Sequence, residues 1–175
     1  MKLIWLHGAP AAGKLTVAKY LNEYFEYKLF HNHLAVDLSL SIYNEFGEKD
    51  FFNFTNEIRR TVLVKAKEIG VTHLAMTYMT CYESDAAEIN KYLKFFEQNG
   101  IDIYPIHLSP SHEALLQRSI SEERLLSHKL SCPEKMFSLL NEMKFIGIKH
   151  SNAISLDNTN MSPAEVARKI VAHVG

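Results

Sequence analysis

The sequence has little of what marks several protein classes. It has only two cysteines in 175 residues. Cys81 and Cys132 lie far apart without paired spacing, so they read as free thiols of a reducing compartment, not as a disulfide framework or a zinc site. Charge of neither sign is in excess. Nineteen Lys plus Arg stand against twenty Asp plus Glu, a net charge of -1 that favours no nucleic-acid partner. Long apolar runs are also missing. The run in MKLIWLHG is too short for a signal peptide, and no later run could cross a bilayer, so a cytoplasmic protein without a membrane partner is expected. Repeats, low-complexity tracts and Pro/Gly/Ser linkers are absent, which leaves residues 1–175 as a single domain.

What is present is an alternation of strand and helix signals. KLIWL is a short continuous apolar run, as expected of a strand buried on both faces. From Lys14 the apolar positions Val17, Leu21, Tyr24 and Phe25 follow helical spacing. YKLF is a second strand, followed by helices over Leu34 to about Tyr43 and Phe52 to Ile69. In the latter, Ile58, Val62 and Ile69 should face the core, and Gly70 should end the helix. VTHLAMTYM is a third strand, and Ser84 a cap for the next helix. IDIYPIHL is a fourth, where Pro105 predicts an edge position or an early end. Ser109-Pro110 offers a helix start, a further helix should cover Pro133 to Phe145, and AISL is the fifth strand. SPAE at 162–165 is a capping box opening the last helix. Such alternation implies right-handed crossovers and a three-layer α/β fold around a five-stranded parallel sheet.

The one specific motif is HGAPAAGKLT, residues 7–16. Gly8 and Gly13 would let backbone amides converge on phosphate oxygens, a helix starts there to favour an anion, and Lys14 can reach terminal phosphates. The expected nucleotide loop is therefore Gly8, Ala9, Pro10, Ala11, Ala12, Gly13, Lys14, Leu15 and Thr16. Leu15 stands where the hydroxyl that binds Mg²⁺ usually follows the lysine. The third strand, HLAMTYMT, carries no aspartate at its end.

GAPAAGKLT resembles the loop of adenylate-kinase-type P-loop kinases, often G-x-P-G-x-G-K-G-T, in which the hydroxyl also comes one residue late. Ala11 and Leu15 depart from it where glycines are frequent. The resemblance implies ATP as cofactor, a phosphate contact from Thr16, and Mg²⁺ held mainly by phosphates and water. It implies the P-loop NTPase fold of the nucleoside and shikimate kinases, with an acceptor-binding region at about 31–69 and a mobile lid at about 111–132. HLAVD, after the second strand, is similar to the same step of chloramphenicol phosphotransferase-like kinases. That makes Asp37 the group that accepts the acceptor's proton and helps place the metal. Its other reading is an early-turn residue favoured by the helix dipole.

His31 and His33 alternate along an extended stretch and so share a face. They serve as pocket donors or as packing, because no third metal ligand is spaced nearby. Arg59 or its neighbour Arg60 could grip an anionic acceptor, or lie in solvent. Arg118, Arg124 and Lys129 resemble the cations of the kinase lid, with Arg118 and Arg124 stabilising the transferring phosphoryl. Asp157, Asn158 and Thr159 stand where the resembling group cradles adenine. The expected activity is phosphoryl transfer from ATP to a small-molecule hydroxyl or phosphate. Alternatives are an ATP-binding protein or slow ATPase without transfer and, on weaker grounds, a polynucleotide 5′-kinase.

Overall fold

A computed structural model describes residues 1–79, 82–120 and 133–175. In chain order the elements are β1 (Lys2–His7), α1 (Lys14–Tyr24), β2 (Lys28–Phe30), α2 (Asn32–Leu40), α3 (Phe51–Glu68) and β3 (His73–Thr77). They continue with α4 (Tyr82–Gln98), β4 (Asp102–Leu108), α5 (His112–Ser119), α6 (Pro133–Glu142), β5 (Ile154–Leu156) and α7 (Pro163–Val174). The strands form one parallel sheet in the order β2-β3-β1-β4-β5. From β1 the chain winds to one side for β2 and β3 and to the other for β4 and β5. In an open α/β sheet, such a reversal leaves a crevice at the carboxyl ends of the strands.

β1 is central, and its alternating side chains supply both cores. Ile4 and Leu6 pack with Val17, Ala18 and Leu21 of α1 and with Val166, Ala167 and Ile170 of α7. Leu3 and Trp5 pack on the other face with Leu63 of α3 and Tyr92 and Phe96 of α4. The Trp5 ring meets Tyr78, Tyr92 and Phe96 at 5.5–5.7 Å. Burial on both faces explains the unbroken apolar run that precedes the glycine.

Several sequence expectations are corrected. β4 is an interior strand despite Pro105. Asp102 N donates towards β1, to Met1 O, and Ser109 N towards β5, to Leu156 O, so by alternation Pro105 turns its nitrogen to the β5 side. β5 begins only at Ile154, opposite Ile106, so the missing N–H falls just short of that ladder. Ser109 prolongs the same ladder, and Ser111 caps α5 instead, accepting from Ala114 N at 3.2 Å. Ser84 lies inside α4. On α3 the buried stripe is Phe51, Thr55, Asn56, Arg59 and Leu63, Ile58 and Val62 are partly buried, and Ile69 is exposed. The Ser162–Glu165 capping box forms as expected, with both reciprocal bonds.

At their carboxyl ends β1 and β4 place His7 beside His107, the rings stacked nearly parallel with centres 5.1 Å apart. Both are buried. Burial, the other ring and the Lys14 ammonium lower the His7 pKa from 6.5 to about 3, and burial with Lys14 lowers that of His107. Both rings are therefore neutral in the fold. Unfolding below pH 6.5 lets His7 protonate, so the stability its neutral ring supports is present above that pH and lost as the pH falls towards 3. For His7 the loss should reach about 2 kcal/mol at pH 5. Urea denaturation at pH 7 and pH 5 measures it: His7→Gln should show a smaller drop than wild type, and an equal drop would refute the assignment.

Candidate active site

The phosphate loop leaves β1 against its neighbour β4. Gly8 has φ +128°, and a Cβ there would lie 2.5 Å from the backbone oxygen of Leu108, so no other residue fits. Ala11 at φ +63° and Gly13 at φ +90° complete three left-handed turns within six residues. Such turns direct successive amides to one concave side and form an anion nest. Ala11 does this with a side chain, in a conformation that costs an L-residue about 1–2 kcal/mol. The methyls of Ala9, Ala11 and Ala12 are buried in the core below. No side chain caps α1 and no acid lies in its first turn, so its leading amides face whatever anion the loop takes. Lys14 Nζ folds over the loop and donates to Gly8 O at 2.8 Å and Ala9 O at 2.6 Å. Thr16 is exposed, while Leu15 and Pro10 are half-buried. Amides and an ammonium without a carboxylate form a donor set that fits a polyphosphate.

Where an acid would end β3, Thr77 is buried and its Oγ1 accepts from Asn32 N at 2.9 Å. That bond starts α2 at Asn32, two residues before the expected Leu34. His31 and His33 therefore do not share a strand face. His31 is the N-cap residue of α2, and His33 lies one turn before Asp37, with Nδ1 3.9 Å from Asp37 Oδ1. Asp37 is exposed, on the side of α2 away from Ala35, Val36 and Ser39, which pack inward. Ser39 Oγ and Thr55 Oγ1, 2.7 Å apart, tie α2 to α3.

The two arginines part company. Arg60 pairs with Glu88 of α4. Arg59, a helical step away, turns under α2 and is buried. Its guanidinium donates to Asn32 Oδ1 at 2.6 Å and to Asn56 Oδ1, and lies 5.0 Å from the centre of the Tyr78 ring. Tyr92 Oη also donates to Asn56 Oδ1, at 3.0 Å. Arg59 Nε is buried without a hydrogen-bond partner, and no carboxylate pairs with this cation among the described residues. The sequence reading did not find Asn32, Asn56, Thr77, Tyr78 or Tyr92. Only Asn56 had a local signal, three residues before Arg59 on one helix face.

On the far side of the loop, Arg118 ends α5 and donates through one terminal nitrogen to Asn158 O and Thr159 O, both at 2.9 Å. Asn158 Nδ2 donates to Ala12 O at 2.9 Å. Asp157 accepts from the hydroxyl and amide of Thr159, which hold its carboxyl below the ordinary range. The structure thus joins Asn158 to the phosphate loop, and both Asn158 and Thr159 to Arg118. Arg124 and Lys129 lie outside the described residues. Among the described residues no group of three His, Cys, Asp or Glu could hold a metal ion, and no helix is long and apolar enough to cross a membrane.

No protein-family model and no curated protein matches the sequence. Solved structures do match its fold. A candidate kinase from Chloroflexus aurantiacus superposes with a TM-score of 0.75 at 12% identity, covering 99% of this chain and 95% of that one. The tunicamycin resistance protein of Deinococcus radiodurans gives 0.62 at 15% identity, with coverage of 100% and 96%. Shikimate kinase from Acinetobacter baumannii, in complex with shikimate, gives 0.54 at 20% identity, with 97% and 90%. At these identities the likeness is one of fold. The chain has the α/β architecture of the shikimate-kinase-like P-loop proteins, with a five-stranded all-parallel sheet.

Proposed function

We propose that the chain is an ATP-dependent kinase of a small-molecule acceptor, a single domain whose acceptor side is about residues 31–69 and whose lid is about 111–132. One observation carries this reading: a loop with three left-handed residues opens on an uncapped helix, beneath a lysine ammonium. Gly8 to Thr16 would hold the phosphates, with Lys14 moving from the loop carbonyls to the β- and γ-phosphate oxygens. Thr159 and the backbone of Asn158 would border the base. Asp37 would take the proton of the acceptor hydroxyl as its oxygen bonds to the γ-phosphorus and the bond to the β–γ bridging oxygen breaks. Arg118 commits one nitrogen to loop carbonyls, and the rest of its fork, with Arg124, would stabilise the charge on the transferring group. Bound magnesium would offset phosphate charge; Asp37 is the protein group assigned to help place it, through water.

The buried Arg59 narrows the acceptor. Among the described residues this buried cation meets only neutral amides and an aromatic face, which is costly unless an anion completes it. The acceptor therefore carries a carboxylate or phosphate, with His31 and His33 as further donors at the mouth. A second reading, nucleotide binding or slow hydrolysis without transfer, is favoured by Leu15 and by Thr77 in place of an acid.

Lys14→Ala should weaken ATP binding at least about thirtyfold, whereas Asp37→Asn should bind ATP as wild type does and lose about 10²–10⁴ in transfer rate. Calorimetry and ADP release measure these. Equal ATP affinity in Lys14→Ala would sink the nucleotide reading, and ATP turnover indifferent to every acceptor would favour the hydrolase. In an ADP-release screen of pooled acceptors, acids should respond and neutral polyols should not. Arg59→Lys should then raise the acceptor KM about tenfold or more while leaving the ATP KM unchanged. A neutral best acceptor would remove Arg59 from the site.

A further inference from the structure

Asn158 lies 146 residues from Ala12, yet its side chain reaches the apex of the phosphate loop. The residue is buried, 4% exposed. The carbonyl of Ala12 needs a donor, which fixes the amide orientation: Nδ2 faces Ala12 O, and Oδ1 faces away. That Oδ1 is buried with no hydrogen-bond partner among the described residues. An unpaired buried acceptor is unfavourable, so the side chain carries a penalty while making one bond, and that bond goes to the loop.

The bond has a geometric consequence. In a trans peptide the C=O and the following N–H point in opposite directions. Drawing Ala12 O towards Asn158 therefore turns the N–H of Gly13 to the opposite side, away from Asn158. Gly13, at φ +90°, has no Cβ to resist a flip of this peptide, so the backbone alone does not fix its direction. The peptide after Ala12 would otherwise be free to present its oxygen to the phosphates.

The support for Asn158 extends beyond the loop. Its own carbonyl and that of Thr159 both accept from Arg118, in the last turn of α5. Thr159 Oγ1 accepts from the amide of Ser111, the N-cap residue of the same helix. One helix is thus held at both ends by two consecutive residues, and the first of these holds the phosphate loop. Those bonds fix the backbone from which the Asn158 amide reaches.

We propose that Asn158 is a positioning residue: it sets the direction of the Ala12–Gly13 peptide so that Gly13 N–H faces the phosphates, and it joins the loop to α5. For its ligand this rests on the nucleotide reading above; the peptide orientation does not. The role differs from a contact with the base, and two probes separate them. Inorganic pyrophosphate reports the loop, and adenosine reports the base side.

Asn158→Ala should bind pyrophosphate about tenfold more weakly and adenosine unchanged. Weaker adenosine with unchanged pyrophosphate would make Asn158 a base contact and overturn the proposal. Asn158→Asp has nearly the native shape but sets a carboxylate against the Ala12 carbonyl. It should bind pyrophosphate more weakly than Asn158→Ala at neutral pH, and recover relative to wild type as acid restores an O–H donor. No such recovery would overturn the proposal. Amide exchange of Ala9 and of residues 11–14 in the ligand-free protein is a third readout. Faster exchange there in either variant supports the positioning role even if wild type binds no nucleotide, which would refute the kinase reading alone. Unchanged exchange in a folded variant refutes the role whatever the nucleotide result.

Discussion

The structure is organised by a close approach at the end of the central strand. Gly8 leaves β1 so tightly against β4 that a side-chain carbon would sit 2.5 Å from the Leu108 carbonyl. This contact requires a glycine and fixes where the loop begins. It also brings the Lys14 ammonium near enough to the stacked imidazoles of His7 and His107, the strand-end residues of β1 and β4, to disfavour their protonation. A cation, two neutral rings and a ring of amides thus share one small volume at the middle of the sheet. Both imidazoles stay unprotonated there, so the lysine supplies the local positive charge.

Away from the loop, the sheet face that carries Leu3 and Trp5 changes character towards the strand tips. Apolar packing against α3 and α4 gives way to His7 on β1, His107 on β4 and Tyr78 beyond β3, with Arg59 over the Tyr78 ring. The Asn56 amide oxygen accepts from both Arg59 and Tyr92, which couples the arginine to the aromatic core below. Among the described residues Arg59 is therefore held by neutral groups, while Arg60 is neutralised by Glu88 on the flank. A guanidinium so fixed loses little conformational freedom when an anion meets it, which suits recognition better than a flexible surface arginine does.

Features set by neighbours in sequence were legible before any coordinates. The glycine-bearing turn from β1 into α1 is such a feature, because its glycines and the following helix are local. So are the capping box of α7 and the alternation of strands and helices. Features set by partners far along the chain were not. Pro105 predicts an edge strand only if both sides of β4 are paired along its whole length, and β5 is too short for that. His31 and His33 belong to an extended stretch only until Thr77, 45 residues away, captures the amide of Asn32. The choice between Arg59 and Arg60 rests on α4, which supplies Glu88 to one and not the other. The cluster of Asn32, Asn56, Arg59 and Tyr92 comes from three helices and could not be assembled from spacing.

Thr77 bears on the metal question as well. The position that would carry an acid at the end of β3 instead holds a hydroxyl bonded to the first amide of α2. That bond fixes the start of the helix, and Asp37 follows on its exposed side less than two turns later. In the proposed kinase the carboxylate lost from β3 and the carboxylate present on α2 are thus connected, since the residue that replaces the first sets the position of the second. Leu15 acts in the same direction. It offers no hydroxyl ligand in the loop, so in the proposed kinase metal placement would fall to phosphate oxygens, water and Asp37. Asp37 is therefore assigned two duties that depend on one long-range bond. Any movement of α2 away from Thr77 would disturb proton acceptance and metal placement together.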